Sequence, residues 1–229
     1  MRPVIAITHS FNQSKVTVFA LKLAIWLAGG KPLCITPEKN NHLQSYDGLL
    51  IGGGVDVNPE RYGKEKKPGY VYQNERDRLE FEHLKTALNH NRPVLGICRG
   101  AQLMNVFHQG TLHLDIQKAY EKSKYPSNII GYIFFRKWIY LIKPSRLFDM
   151  FRAERVRVNS LHKQSIDQVG AGFRVTAQEQ NGIIQCIEHV SKPFLMGVQF
   201  HPELMTYHKY HRGIFKSFLK ATIQNRQHN

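Results

Sequence analysis

Gly-Ile-Cys-Arg-Gly-Ala-Gln, at residues 96–102, is the stretch that best indicates how this chain folds. The apolar run before it, residues 93–97, is short and partly β-branched, which predicts a buried strand. The residues after it, through Phe107, carry apolar side chains at helical spacing. Cys98 is therefore expected at a tight strand-to-helix turn, with a glycine two positions before it and another two positions after it. This is the steric pattern of a nucleophile elbow, where small neighbours let strand and helix approach around a strained residue.

Two interpretations of Cys98 are open from this stretch alone. In the first, Cys98 is a nucleophile whose thiolate is favoured by the partial positive charge at the N-terminus of the following helix. In the second, it is a buried structural cysteine beside two turn glycines. The first interpretation requires a base within reach, and the candidate lies far downstream in the sequence.

The segments before Cys98 alternate between predicted strands and predicted helices. Strands are expected at residues 4–8, 31–35 and 48–51, and helices at 16–28 and 74–89. Alternation at this spacing is typical of a parallel, doubly wound α/β sheet. Reactive groups in such sheets collect at the carboxyl ends of the strands. Cys98 and the triple glycine 52–54, which follows the third strand, are both expected at that edge.

The C-terminal half has a less regular pattern. We expect an irregular connection at 110–125, one or two strands within 129–142, a short helix at 144–151, strands at 155–158, 173–177, 183–188 and 195–200, a closing helix at 210–223 and a frayed polar tail at 224–229. Gly182 fits a hairpin turn. The whole pattern predicts an α/β fold: a doubly wound, mostly parallel, flavodoxin-like sheet flanked by helices, with additional antiparallel strands in the C-terminal half.

Size and cysteine content narrow the class of protein. The 229 residues contain no Pro/Gly/Ser-rich linker, so we expect a single domain over 1–229. The three cysteines are odd in number and widely spaced, which argues against a disulfide framework and favours a reducing, cytoplasmic location. The N-terminal residues do not have the pattern of a signal peptide, and no apolar run approaches a membrane span. We therefore expect no membrane partner.

The formal charge of +15 arises from 32 Lys and Arg against 17 Asp and Glu. Such an excess is compatible with a nucleic-acid or anionic-surface partner. The basic residues are scattered, however, with neither zinc-finger spacing nor an aromatic RNA-binding signature. We interpret them as a solvated basic surface and expect no nucleic-acid partner. The histidines show no metal-binding spacing, and we expect neither a metal nor a cofactor.

His201 is the candidate base for Cys98. It follows the predicted strand 195–200, so it is expected at the same edge of the sheet. Glu203 lies two residues later, with Pro202 stiffening the link. A carboxylate so placed can accept from one imidazole nitrogen and leave the other facing the thiol. His-Pro-Glu alone also fits an ordinary surface turn, but together with an elbow cysteine it indicates a nucleophile, a base and an orienting carboxylate.

Residues 96–102, together with Gln-Phe-His-Pro-Glu at 199–203, resemble the class I (triad) glutamine amidotransferase superfamily. The resemblance is closest to its hydrolase branch, the γ-glutamyl-γ-aminobutyrate hydrolase family (peptidase family C26). Stretches 52–62, 76–80 and 159–164 are also similar to that branch, so the similarity covers nearly the whole chain.

The resemblance implies roles for individual residues. Cys98 would be the nucleophile, His201 the general base and acid, and Glu203 the orienting carboxylate. The oxyanion hole would be formed by backbone N–H groups of Gly53 or Gly54 and of Arg99, since an elbow supplies a donor on the residue after the nucleophile. The candidates for substrate binding are Gln102, Asn159, Ser160 and His162. For His162, a role as second catalytic histidine or a purely structural role is also open.

The activity implied is hydrolysis of a γ-glutamyl amide, γ-glutamyl-GABA or a related γ-glutamyl amine, through a thioester on Cys98. One alternative is a glutaminase subunit that donates ammonia to a synthase partner. Another is a non-catalytic or redox-sensing protein with a reactive thiol. The expected partner is the small-molecule substrate, and a homodimer is compatible with the sequence.

This chain departs from the hydrolase branch at three places, of which the last two leave the identity of the substrate open. The branch usually has Gly-Gly-Thr-Leu where this chain has Gln-Gly-Thr-Leu at 109–112, and often His-His-Gln where this chain has His-Lys-Gln at 162–164. The stretch 117–137 matches no familiar pattern.

Overall fold

The computed structural model describes residues 1–229 except 11–12, 39–45, 121–134 and 229. Its helices are α1 (Lys15–Leu27), α2 (Asn74–Asn89), α3 (Arg99–Phe107), α4 (Ile116–Ala119), α5 (Arg146–Phe151) and α6 (Lys209–His228). Its strands are β1 (Val4–Thr8), β2 (Lys31–Ile35), β3 (Gly48–Ile51), β4 (Val94–Ile97), β5 (Leu112–His113), β6 (Arg136–Leu141), β7 (Arg155–Asn159), β8 (Ser165–Ile166), β9 (Phe173–Gln178), β10 (Ile184–His189) and β11 (Leu195–Val198). Short 3₁₀ helices lie at Pro59–Tyr62 and Pro202–Met205.

One nine-stranded sheet organises these elements, in the order β2-β1-β3-β4-β11-β10-β9-β6-β7. The pairs from β2 through β4 to β11 are parallel, and the pairs from β11 to β7 are antiparallel. The predicted fold class is confirmed, including the antiparallel strands of the C-terminal half. The parallel part supplies the edge at which β3, β4 and β11 all end.

Hydrophobic residues cover both faces of the sheet. On β1, Ile5 and Ile7 belong to a core that includes apolar residues of α1 and α6, while Ala6 between them belongs to a second core with α2 and α3. The alternation follows from the two-residue period of a strand. Helices on both faces bury the central strands completely, as expected for a parallel sheet.

Some sequence-based expectations for the second half were wrong. Within the expected irregular connection 110–125, the described residues 110–120 are not simply irregular, because β5 pairs with β8 and α4 follows. The tail does not fray after residue 223, since α6 continues to His228. Neither glycine nor proline follows Gly213, so the sequence contains no strong stop signal for this helix. Much of the expected strand region 129–142 lies outside the described residues, and the described part contains β6.

None of the helices in the described part of the chain is both long enough and apolar enough to span a membrane.

Candidate active site

Cys98 occupies the strained turn predicted between β4 and α3. Its backbone has φ 53° and ψ −106°, a region that residues other than glycine rarely adopt. A Cβ added at Gly96 would overlap the Met104 sulfur, and one added at Gly100 would overlap the Ile51 carbonyl. The two glycines are therefore needed for strand and helix to approach this closely. The side chain of Cys98 is 7% exposed, so it is enclosed but reachable.

His201 lies beside Cys98 because β4 and β11 are adjacent parallel strands. Ile97 pairs with Val198, and the Cys98 N–H donates to the Val198 carbonyl at 2.7 Å. The imidazole of His201 lies within interaction range of the Cys98 side chain, whose negative charge raises the pKa of His201. Its Nδ1 donates to Glu203 Oε1 at 2.7 Å, leaving Nε2 as the nitrogen available to the thiol. His201 therefore stands between Cys98 and Glu203 and is hydrogen-bonded to Glu203.

Electrostatics favour a protonated His201. Burial by itself would lower the pKa of this imidazole, but the negative charges of Glu203 and of the Cys98 thiolate outweigh burial and raise the pKa well above its usual value. An imidazolium beside a thiolate is the charge state in which a cysteine nucleophile is ready to attack.

Asn159 holds the backbone of His201 from the end of β7. Its Nδ2 donates to the His201 carbonyl at 2.9 Å, and its Oδ1 accepts from the His201 N–H at 2.7 Å. Both ends of the amide are thus engaged by one residue of the protein. This geometry fits a positioning role, and substrate binding by Asn159 stays a prediction.

The glycine loop, residues 52–54, adjoins both Cys98 and His201. A Cβ added at Gly53 would stand 2.8 Å from His201 Cε1 and 3.6 Å from Cys98 Cβ, so the loop packs directly against both side chains. Gly54 has φ 149°, a conformation that L side chains rarely adopt. Within the described residues, the backbone N–H groups of Gly53 and Gly54 donate to no protein acceptor. They are available to a ligand at this edge.

A buried cluster of four charged residues lies behind the glycine loop; we call it the charge cluster, and it consists of Arg76, Asp77, Glu80 and Arg99. The Arg99 guanidinium donates to Asp77 and to Glu80, and Arg76 Nε donates to Glu80 Oε1 at 2.8 Å. Two cations and two anions balance within it, which is how buried charges are normally tolerated. Burial lowers the pKa of Arg76 to about 10, so this guanidinium remains charged at neutral pH.

Gln199 contacts the sulfur of Cys98, which sequence reasoning missed. Its Nε2 donates to Cys98 Sγ at 3.6 Å, while its Oε1 accepts from Gln102 Nε2 at 3.1 Å. Gln102 Nε2 also donates to the Gln164 carbonyl at 3.1 Å. Because a carbonyl can only accept, this bond fixes which amide atoms donate in the hydrogen bonds that join Gln102, Gln199 and Cys98. The position of Gln199, two residues before His201, was the only sequence signal for this contact.

A cavity of about 270 Å³ opens onto Cys98. Its lining residues are Gly54, Asp56, Tyr70, Cys98, Gln102, Leu161, His162, Lys163 and Gln164. Two of the predicted substrate-binding residues, Gln102 and His162, are among them. Asn159 and Ser160 are not in this lining, and Ser160 is fully buried.

His162 is neutral in this cavity. Its Nδ1 donates to the Gln164 carbonyl at 2.7 Å, and its Nε2 accepts from Gln185 Nε2 at 3.2 Å. Burial lowers the pKa of His162 to about 3. A histidine with this pKa cannot serve as a proton donor near neutral pH, which disfavours a role as second catalytic histidine.

Sequence reasoning also missed the opposite charges that Asp56 and Lys163 bring to the cavity. Burial raises the pKa of Asp56, and the nearby Lys67 partly offsets this effect. Within the described ranges, no cluster of three or more His, Cys, Asp or Glu residues could hold a metal ion.

The sheet order and the position of the elbow define a class I glutamine amidotransferase-like fold. A glutamine amidotransferase from Thermotoga maritima matches it with a TM-score of 0.65 at 14% identity, covering 98% of this chain and 97% of that one. Residues 3–203 match the Peptidase C26 family model, and the chain belongs to this family of hydrolases.

Two curated relatives carry different names. A Mycobacterium tuberculosis protein provisionally named a glutamine amidotransferase is 33% identical over 218 residues, covering 88% of this chain and 70% of that protein. The γ-glutamyl-γ-aminobutyrate hydrolase PuuD of Escherichia coli is 27% identical over 216 residues, covering 86% of this chain and 83% of that protein.

Proposed function

We propose that this protein hydrolyses the γ-glutamyl amide bond of a γ-glutamyl amine, with Cys98 as nucleophile. The observation that carries this proposal is the placement of Cys98, at a strained elbow, beside a His201 that is hydrogen-bonded to Glu203. A nucleophile, a base and a carboxylate in this order are the groups that acyl transfer requires.

In the proposed reaction, the Cys98 thiolate attacks the γ-carbonyl carbon, forming a C–S bond. The carbonyl oxygen takes up negative charge and is stabilised by backbone N–H groups of the glycine loop and of Arg99. His201 gives its proton to the amine as the C–N bond breaks, which leaves a γ-glutamyl thioester. His201 then takes a proton from water, which attacks the thioester and releases glutamate and the free thiolate.

The cavity supports a γ-glutamyl group as the bound part of the substrate. A γ-linked glutamyl group carries an α-ammonium and an α-carboxylate, and the cavity offers Asp56 and Lys163 as oppositely charged partners. Gln102 lines the same cavity and has its amide nitrogen engaged by the protein, which leaves its oxygen as the polar atom for a ligand. The name of the Escherichia coli relative provides independent support for this substrate class.

The proposal is tested with purified protein and no partner. We expect kcat/KM for γ-glutamyl-GABA or a γ-glutamyl polyamine to exceed kcat/KM for glutamine. Cys98→Ala should abolish this activity without unfolding the protein, whereas Cys186→Ala, which removes another buried thiol, should leave it unchanged. Absence of hydrolysis with all three substrates would contradict the proposal.

A glutaminase subunit is the second candidate, because several relatives and structural neighbours carry amidotransferase names. It predicts glutamine as the best substrate, or activity that appears only when a synthase partner is added. Comparing the rates of hydrolysis before and after a synthase is added separates the two functions.

A further inference from the structure

We propose that Arg76 is a positioning residue that holds the glycine loop with its N–H groups turned toward Cys98, so that the oxyanion hole is formed in the free protein. This inference rests on the proposed function and deepens it. Arg76 itself lies behind the loop and does not touch the substrate cavity.

Arg76 binds a pair of backbone carbonyls in the glycine loop. Its Nη2 donates to the Gly52 carbonyl at 3.1 Å and to the Gly53 carbonyl at 2.8 Å. The Gly52 carbonyl shares a peptide unit with the Gly53 N–H, and the Gly53 carbonyl shares one with the Gly54 N–H. In a planar trans peptide the C=O and the N–H point in opposite directions. Binding both carbonyls therefore turns both N–H groups away from Arg76.

The reacting side chains adjoin the face of the glycine loop that is turned away from Arg76. The Cβ side of Gly53 faces His201 Cε1 and Cys98 Cβ, so the loop separates the guanidinium from the reacting side chains. The two N–H groups that point away from Arg76 have no protein acceptor in the described part of the chain. Donors that are fixed in direction but unpaired are suited to a charge that develops only during reaction.

The side chain of Arg76 is held in a fixed position. Its side chain is 1% exposed, and Glu80 holds its Nε. Glu80 also accepts from Thr8 Oγ1 at 3.0 Å and from Arg99, the residue that follows the nucleophile. One carboxylate thus ties the glycine loop to the elbow. A lysine would carry the same charge but lacks the planar fork that reaches Glu80 and two carbonyls together.

Gly54 makes this arrangement possible. A Cβ at this position would overlap Arg76 Nη1, so only glycine lets the guanidinium lie against the loop. The triple glycine and Arg76 therefore depend on each other structurally, although they come from separate stretches of the sequence.

The test uses Arg76→Met and Arg76→Lys, with Arg78→Met as the matched control, because Arg78 is an exposed arginine two positions along the same helix. On the best γ-glutamyl amide, Arg76→Met should lower kcat by about 10²–10³-fold, the usual effect of losing an oxyanion donor. KM should change little, because the oxyanion exists only in the transition state. Arg76→Lys should recover only part of the loss, and Arg78→Met should match the wild type.

A second readout separates this role from general damage to the site. Alkylation of Cys98 by iodoacetamide forms no oxyanion, so its rate in Arg76→Met should stay at the wild-type value. If Arg76→Met does not fold, Arg76→Met/Glu80→Gln removes one cation and one anion together and keeps the charge cluster balanced. The same kinetic expectations apply to that double variant.

The outcomes are distinct. A folded Arg76 variant with wild-type kcat would overturn the inference and leave the proposed function standing. A parallel fall in kcat and in alkylation rate would also overturn it, since Arg76 would then act on the nucleophile and not on the oxyanion hole. A wild-type protein that hydrolyses no γ-glutamyl amide would refute the proposed function and this inference with it.

Discussion

The glycine loop and the imidazole of His201 both adjoin Cys98, and they can serve the reaction in different ways. The glycine loop offers backbone N–H groups and is held by Arg76, whose charge does not change near neutral pH. His201 offers a nitrogen whose charge depends on Glu203 and on the thiol itself. The glycine loop can stabilise a developing charge without moving a proton, whereas the imidazole of His201 can transfer a proton.

This difference makes the two sides separable by experiment. Loss of Arg76, which does not touch His201, should alter kcat without shifting the pH profile or the reactivity of the thiol. Changes on the histidine side should alter all three, because the imidazolium also stabilises the thiolate.

The largest effect is expected from His201→Ala. It removes the base that lies beside Cys98 and should lower kcat/KM by about 10⁴-fold. The rate of Cys98 alkylation near pH 7 should fall as well, in contrast to Arg76→Met. An alkylation rate equal to that of the wild type would show that the two sides do not differ in this way.

Gly53→Ala should come next. The new Cβ would stand 2.8 Å from His201 Cε1, so the loop or the imidazole must shift, and we expect kcat to fall by about 10²-fold. Gly213→Ala is the matched control, because an added Cβ there meets nothing within 4 Å. Full activity in Gly53→Ala would mean that the loop does not closely adjoin the reacting atoms.

Glu203→Gln should mainly change the pH dependence. Glu203 raises the pKa of His201, and the imidazolium needed by the thiolate is lost as pH rises through that pKa. Removing the carboxylate charge should therefore move the alkaline limb of the kcat/KM profile to lower pH by about one unit. An unshifted limb would assign that limb to another group.

His162 has a lowered pKa, in contrast to the raised pKa of His201, and this should make the free energy of unfolding depend on pH. Its pKa is about 3 in the folded protein and near 6.5 when unfolded, so the unfolded chain binds the extra proton between these values. The free energy of unfolding should therefore fall as pH is lowered through this window, by about 1.4 kcal/mol per pH unit from this residue. Denaturant titrations at several pH values should show a smaller slope in His162→Gln than in His90→Gln, which alters an exposed histidine.

The sequence predicted those parts of the site that depend on strand ends. Cys98 and His201 each follow an apolar run, and adjacent parallel strands bring such positions together. Their orienting partners were harder to predict. Nothing in the local sequence around Asn159 shows that its amide meets the backbone of His201, and the contact of Arg76 with the glycine loop depends on how α2 packs on the sheet.

Two misjudged segments have local causes. The strands β5 and β8 contain two residues each, which is too short for any periodicity to show. The last residues of α6 are mostly polar. Polarity alone does not end a helix, and neither glycine nor proline occurs after Gly213 to end this one.

Whether Cys98 is the activated nucleophile can be measured directly. Purified protein is treated with limiting iodoacetamide at neutral pH, and residual γ-glutamyl amide hydrolysis is compared with the extent of alkylation at each cysteine by mass spectrometry. Burial raises the pKa of the Cys34 and Cys186 thiols, so both should react slowly. We predict that the fraction of activity lost equals the fraction of Cys98 alkylated. Activity that persists after Cys98 is fully alkylated would contradict the account.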